Sequence, residues 1–216
     1  MKSKNGRTSK RMYNLIIIDE SGSMSVIHRE ALAGLNETMT TCKLTQKQHP
    51  ELEQRITLVS FDSTKYKIHY DNAPVYKTRK LTGRDYMPMG GTPLYDAIGK
   101  SISRLDAQVG ADDMVLVTII TDGEENCSRE YNLRMVKNLI KKQKKQGWTF
   151  TLIGTDNLDV QGMAGSLAID NHLSFAEDET GTTEMFRSER KARTRFYDRC
   201  AEGIKMPSGS FFNEDD

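Results

Sequence analysis

Short, continuous apolar runs alternate along the chain with longer stretches in which apolar residues recur every three or four positions. Residues 15–18 form the first run, residues 56–61 the second, and residues 114–121 the most apolar one. Continuous runs of this length, rich in β-branched residues, are typical of strands that are buried on both faces of a parallel sheet. Residues 149–153 and 173–175 predict two further strands.

Helical spacing occupies the segments between these runs. The apolar stripes are carried by Leu32, Leu35, Met39 and Cys42, by Leu94, Ile98, Ile102 and Leu105, by Leu133, Val136 and Ile140, and by Met185, Ala192, Phe196 and Cys200. We expect a short helix over residues 159–165, and Thr182 or Thr183 as the cap of the last helix. Residues 65–70 alternate polar and apolar, which predicts an antiparallel edge strand, and residues 71–91 are expected to be irregular.

Strands and helices that alternate with connections of this length predict an α/β fold. We expect a doubly wound, mostly parallel six-stranded sheet of Rossmann-like type, with helices on both faces and one antiparallel edge strand. One domain is predicted over residues 12–203. Residues 1–11 are interpreted as a flexible basic tail and residues 204–216 as a C-terminal tail.

Composition narrows the function classes. The 216 residues include 31 basic and 30 acidic side chains, so no strong field favours a polyanion and nucleic acid is not expected as a partner. No apolar run approaches the ~20 residues of a membrane span. Three cysteines at wide spacing indicate reduced thiols, and no secretory cleavage site follows the basic N-terminus. A cytoplasmic location is therefore predicted.

Hard oxygen donors follow two of the predicted strands. Asp19, Ser21 and Ser23 alternate after the first strand, Asp122 follows the strand at 114–121, and Thr92 opens a helix in a Gly-Thr-Pro turn. In doubly wound sheets, ligands bind beyond the carboxyl ends of the strands. Oxygen donors of this kind suit one Mg²⁺ or Mn²⁺ ion. Two carboxylates neutralise the ion, and if either acts through water, the ion attracts an anionic oxygen from outside. A Glu or Asp of a partner protein is the expected source.

These three segments, in this order, resemble the metal-ion-dependent adhesion site of von Willebrand factor type A domains. The resemblance covers about residues 12–203. It implies that Ser21, Ser23 and Thr92 bind the ion through their hydroxyls, and that Asp19 and Asp122 lie close by and often act through water. It also implies a protein-interaction domain and not an enzyme. Intracellular bacterial members of the family often work beside AAA+ ATPases or in stress responses, so a partner of either kind is expected by resemblance.

Each segment also has a simpler interpretation. Residues 19–30 can be aligned with a calcium-binding EF-hand loop, but Met24 stands where that loop needs glycine. Thr92 could cap a helix that has proline at its first position, and Asp122 with the glycine after it could form only a turn. Glu124 and Glu125 are interpreted as solvated loop residues. Met87 and Met89 are interpreted as filler of an irregular loop. The resemblance places Glu20 at a variable position of the family's motif, where an extra acid is expected to modify affinity.

Other functions remain open at this stage. A Mg²⁺-dependent phosphoesterase also places an aspartate after its first strand, but Ser21 occupies the position where its acid–base carboxylate should stand. Dinucleotide binding is disfavoured because no Gly-x-Gly-x-x-Gly follows the first strand. A structural domain with an intact but idle site is the third alternative.

Overall fold

Residues 10–204 and 209–213, which the computed structural model describes, contain six strands and five α-helices. The strands are β1 (Lys10–Asp19), β2 (Leu52–Asp62), β3 (Lys65–Pro74), β4 (Met114–Thr121), β5 (Thr149–Thr155) and β6 (Asn171–Phe175). The helices are α1 (His28–Gln48), α2 (Leu94–Asp106), α3 (Leu133–Lys145), α4 (Val160–Leu167) and α5 (Glu179–Ala201), with short 3-10 turns at Ser23–Ile27 and Val75–Lys77.

The strands form one sheet in the order β3-β2-β1-β4-β5-β6. All neighbours run parallel except β2 and β3, which pair antiparallel at the edge. The predicted fold class is therefore confirmed. The chain runs outward from β1 to β3 and then returns to β4 on the other side of β1. The strand order thus reverses between β1 and β4, which is where sheets of this kind bind ligands.

The central strand β1 is apolar without interruption because helices cover both of its faces. Leu15 and Ile17 pack in a core cluster with α2, α3 and α4, whereas Ile16 and Ile18 pack in a second cluster with α1 and α5. Successive side chains of a strand point to opposite faces, so one run of residues supplies both clusters. This packing fixes the carboxyl end of β1 at the middle of the sheet edge.

The sheet extends further toward the N-terminus than the sequence indicates. Lys10 and Arg11, assigned above to a flexible tail, are the first residues of β1 and pair with β2. The Arg11 guanidinium donates to Glu53 Oε2 at 3.0 Å. This ion pair compensates the charge of Arg11 within the sheet. The apolar pattern predicts no strand at this position because Arg11 is charged. Residues 1–9 lie outside the described part of the chain.

The described part of the predicted C-terminal tail packs against the domain. The Phe211 side chain is 1% exposed and lies in a cluster with Phe196 and Tyr197 of α5. The Phe211 amide donates to Asn171 Oδ1 at 3.0 Å. The prediction of a loose tail over residues 204–216 is wrong for this segment, because the aromatic ring completes the core beneath α5.

Helix α5 begins earlier than predicted. Asp178 caps it by accepting from the Gly181 amide at 2.7 Å, and the hydroxyls of Thr182 and Thr183 instead donate to carbonyl oxygens one turn back. Both threonines therefore lie inside the helix, and the capping prediction is wrong. An aspartate cap is favoured because its carboxylate accepts from the free amides of the first turn.

None of the described helices combines the length and the apolarity that a membrane span requires. Cys42, Cys127 and Cys200 are free thiols, as their number and spacing predict.

Candidate metal centre

The five predicted site residues lie at the edge of the sheet where the strand order reverses. Asp19 is the last residue of β1, and Asp122 follows the last residue of the adjacent strand β4. Ser21 and Ser23 lie in the turn after β1, and Thr92 stands two residues before α2. Asp19, Ser21, Thr92 and Asp122 are buried and Ser23 is exposed, so the group is open to solvent on one side.

Hydrogen bonds connect the two strand ends directly. Ser23 Oγ donates to Asp122 Oδ1 at 2.8 Å, and Ser21 Oγ lies 3.2 Å from Ser23 Oγ. Asp19 accepts from the Ser21 amide at 2.8 Å through Oδ1 and from Thr121 Oγ1 at 2.6 Å through Oδ2. The structure therefore brings four of the five predicted residues into one hydrogen-bonded group.

The Thr92 hydroxyl lies near this group, beside the position where Gly123 lacks a side chain. A Cβ placed on Gly123 would lie 3.0 Å from Thr92 Oγ1 and 3.8 Å from Asp19 Oδ2. The missing side chain of Gly123 thus leaves the Thr92 hydroxyl and the Asp19 carboxylate facing the same small volume. A larger residue at 123 would crowd the Thr92 hydroxyl, so glycine at this position keeps the volume open.

The simpler interpretation of Thr92 requires that it cap α2, and the structure shows that it does not. The cap position of α2 is Pro93, and no side chain bonds to the helix from it. Free amides of the first turn are bound by the loop after β4 instead, where Glu125 Oε2 accepts from the Tyr95 amide at 2.9 Å and Ser128 Oγ from that of Asp96 at 3.0 Å. Glu125 is therefore a structural cap and not a solvated loop residue.

Both carboxylates are held in an environment that disfavours their charge. Burial, which outweighs the hydrogen bond from Ser23, raises the pKa of Asp122 from 3.8 to about 6, and the nearby Asp19 adds to the shift. Burial also raises the pKa of Asp19, against the hydrogen bonds from Thr121 and Ser21. Asp122 Oδ2 is buried and has no hydrogen-bond partner among the described residues. A buried, unpartnered carboxylate oxygen costs free energy unless a cation meets it.

The residues present fit a hard divalent cation. The donors are two carboxylates and three hydroxyls, all of them oxygen, which is the ligand chemistry of Mg²⁺ and Mn²⁺. No group of three or more His, Cys, Asp or Glu side chains that could hold a metal occurs among the described residues. A site here would therefore depend on its serine and threonine hydroxyls as much as on its two acids.

Two further acids lie near the site: Glu20, expected above to modify affinity, and Asp62, which the sequence prediction missed. Asp62 ends β2 beside β1, and its charge contributes to the raised pKa of Asp19. Glu20 is fully buried, and its Oε1 accepts from the Lys65 ammonium and from the Met87 amide. The signal for Asp62 was present, since it follows an apolar strand as Asp19 does, but a single acid there is also an ordinary turn residue.

The loop that Glu20 holds carries two exposed methionines. Met87 is 58% exposed and Met89 is 50% exposed, so neither fills the loop as the sequence interpretation assumed. The Met89 amide donates to the Glu20 carbonyl at 2.8 Å, and the Gly22 amide to the Gly90 carbonyl at 3.0 Å. These bonds place both methionines beside the turn that carries Ser21 and Ser23.

Comparison with known proteins shows which domains the fold of this chain resembles. No family model and no curated protein matches the chain. Among solved structures, the vWF domain of the type V pili tip protein Mfa5 from Porphyromonas gingivalis is 13% identical, with a TM-score of 0.60, over 94% of this chain and 99% of that one. The SpRpn10 VWA domain is 14% identical, with a TM-score of 0.59, over 82% of this chain and 93% of that one. The chain has a von Willebrand factor type A-like fold.

Pilus proteins share the type A-like fold within longer chains. The D319A mutant of the PilB minor pilin from Streptococcus sanguinis is 14% identical, with a TM-score of 0.58 over 91% of this chain. The chain spans 64% of that pilin, less than two thirds of its length. At identities this low, the likeness carries the fold alone, and the chemistry of the site rests on the residues described above.

Proposed function

We propose that this chain is a metal-dependent protein-interaction domain and not an enzyme. One Mg²⁺ or Mn²⁺ ion would be held by the hydroxyls of Ser21, Ser23 and Thr92, with the carboxylates of Asp19 and Asp122 close by. The observation that carries the proposal is the buried, unpartnered Asp122 Oδ2, on a carboxylate whose other oxygen accepts from the Ser23 hydroxyl.

The proposed ion would accept a further ligand from outside the chain. A bound divalent ion supplies an electron-poor centre that accepts an anionic oxygen. The Thr121 hydroxyl and the Ser21 amide occupy both oxygens of Asp19 and hold that carboxylate in place. The three hydroxyls add no negative charge, so a carboxylate from a partner can still be attracted. We therefore propose a protein partner that presents a Glu or Asp side chain. An AAA+ ATPase or a stress-response component is a candidate by resemblance.

The first test is thermal unfolding of the wild type with Mg²⁺, with Mn²⁺ and with chelator. A ligand at 100 times its dissociation constant adds about 2.7 kcal/mol to the free energy of unfolding. For a chain of this size that is a rise in Tm of roughly 5–10 °C. Ser21→Ala should lose the rise. Ser25→Ala, which removes an exposed hydroxyl from the same turn, should keep it.

A metal-dependent rise that persists in Ser21→Ala would contradict the proposed ligand set. If the rise depends on Ser21, partner capture in Mg²⁺ and in chelator follows, and a protein retained equally in both would contradict the role of the ion in binding.

A further inference from the structure

The Lys65 ammonium lies among three oxygen atoms beside the candidate metal centre. Its Nζ is 2.9 Å from Glu20 Oε1, 3.2 Å from the Met87 carbonyl oxygen and 3.3 Å from Asp62 Oδ2. We call this group of Glu20, Asp62 and the Met87 carbonyl the Lys65 pocket. Two carboxylates and a backbone carbonyl are also the ligand types that hard cations take in proteins.

The pocket holds more negative charge than Lys65 neutralises. The side chains of Glu20 and Asp62 are both 0% exposed, and that of Lys65 is 30% exposed. Glu20 Oε2 is buried and has no hydrogen-bond partner among the described residues. Asp62 Oδ2 is likewise buried and accepts no hydrogen bond among the described residues, although it lies 3.3 Å from Lys65 Nζ. Two buried carboxylates thus share one ammonium, and one oxygen of each accepts no hydrogen bond. Buried charges in such a setting require a cation close to them.

The backbone fixes this pocket next to the candidate metal centre. Glu20 directly follows Asp19, and its amide donates to the carbonyl of Phe61, the neighbour of Asp62, at 2.8 Å. Asp62 Oδ1 is already occupied, since it accepts from the Thr64 amide and hydroxyl, both at 2.6 Å. Its Oδ2 is therefore the oxygen that Asp62 offers to a cation.

We propose that the Lys65 pocket is a second cation site, in which the ammonium of Lys65 takes the place of a metal ion. The wild-type chain would then bind a divalent ion at the Ser21, Ser23 and Thr92 hydroxyls but none at Glu20 and Asp62. The statement about the first ion rests on the proposed function, whereas the statement about the pocket does not. Removal of Lys65 should turn the pocket into a site for a divalent ion, with access through the volume that its partly exposed side chain occupies.

The test counts the Mn²⁺ ions bound per chain in Lys65→Ala and in its parent. The two are titrated with free Mn²⁺ up to about 1 mM, the weak end of protein oxygen sites, and the unbound ion is measured by electron paramagnetic resonance. Lys65→Ala should bind one more ion per chain than the wild type. Lys67→Ala is the matched control, because Lys67 lies on the same strand and donates to the Asp85 carbonyl. It should leave the count unchanged, as should the charge-preserving Lys65→Arg.

The same pair is compared in a Ser21→Ala/Ser23→Ala background, which removes two hydroxyls of the first site. An increment of one ion in that background would support the pocket, whatever number of ions the wild type binds. A wild type that binds no ion would contradict the proposed function and leave the result for the pocket unaffected. Lys65→Gln, which leaves an amide that can donate to a carboxylate, serves if the alanine variant does not fold. An unchanged count in the folded variant would overturn the proposal. So would an additional ion that persists in Lys65→Ala/Glu20→Gln, since it would bind elsewhere.

Discussion

Arg193 and Glu189 form an ion pair of 2.6 Å inside the core, where their side chains are 0% and 1% exposed. The Arg193 guanidinium also donates to Asn14 Oδ1 on β1 at 2.9 Å and to Thr118 Oγ1 on β4 at 2.8 Å. Helix α5 is therefore bound to the two central strands by a buried charged group as well as by apolar packing. These are the strands that end at Asp19 and Thr121, so the same pair of strands carries both the anchor of α5 and the candidate metal centre.

Loss of Arg193 should destabilise the chain strongly. Arg193→Met leaves the Glu189 carboxylate buried without its cation, and such a change costs about 3–5 kcal/mol of unfolding free energy. Arg190→Met is the control, since Arg190 pairs at the surface with the exposed Glu37 and should cost no more than about 1 kcal/mol. Urea unfolding measures both. Equal losses in the two variants would contradict the role assigned to the buried pair.

A second contact of α5 depends on a glycine. A Cβ placed on Gly34 of α1 would lie 2.1 Å from the Phe186 ring of α5, so the two helices can approach only because this side chain is missing. Gly34→Ala should lower the free energy of unfolding by about 1–3 kcal/mol through overpacking. The higher helix propensity of alanine offsets only part of this loss. Gly165→Ala in α4, whose added Cβ meets nothing within 4 Å, should instead stabilise slightly. Recovery in Gly34→Ala/Phe186→Leu, measured by urea unfolding, would attribute the loss to the ring. Failure to recover would contradict that attribution.

The sequence pattern was most informative where apolar residues alone determine the structure. The strand predicted over residues 114–121 has the same bounds in the structure, because both of its faces are buried. In α5, by contrast, the buried Glu189 and Arg193 lie on the same face as Met185, Ala192 and Phe196, but their charges interrupt the apolar stripe. Oppositely charged residues four positions apart are also common on solvated helix faces, so the sequence does not show that the fold buries this pair.

The same reason limits what the sequence shows of the site. Asp19 and Asp122 could be predicted because each follows an apolar run, and parallel strands end at a common edge. The loop that carries Met87 could not be placed, because the buried Glu20 carboxylate holds it from another part of the chain. Likewise, Lys65 appears in the sequence as an ordinary hairpin residue, and only the fold brings it to Glu20 and Asp62.

The half-buried His69 should make stability depend on pH. Burial, followed by the charge of Lys67, lowers the pKa of His69 from 6.5 to about 4. Between pH 6.5 and pH 4, the unfolded chain binds a proton at His69 that the folded chain does not bind. The free energy of unfolding should therefore fall as pH falls from 6.5 toward 4. His69→Gln should lose this part of the acid sensitivity, and His172→Gln, at an exposed position of β6, should retain it. Parallel stability profiles for all three proteins would contradict the prediction.

The difference in the free energy of unfolding between Asp122→Asn and the wild type should change sign when metal is added. The pKa of Asp122 is raised, so its ionisation disfavours the folded state as pH rises through about 4 to 6. In chelator at pH 7.5, the variant should be about 1–2 kcal/mol more stable than the wild type, a value reduced for solvent screening. In Mg²⁺, the wild type should gain stability and the variant should not. A variant that is less stable in chelator, or that gains as much from Mg²⁺, would contradict the account of this carboxylate.

Phosphoesterase activity is expected to be absent. An enzyme that used Asp19 as its nucleophile would need an acid–base carboxylate at position 21, but Ser21 stands there. Lys65, a nearby cation that could stabilise a transferred phosphoryl group, is bound to Glu20 and Asp62. With Mg²⁺ and a generic aryl phosphate, the wild type should therefore release no more product than Asp19→Asn does. Turnover by the wild type that is lost in Asp19→Asn would contradict this prediction and would make the chain an enzyme that depends on Asp19.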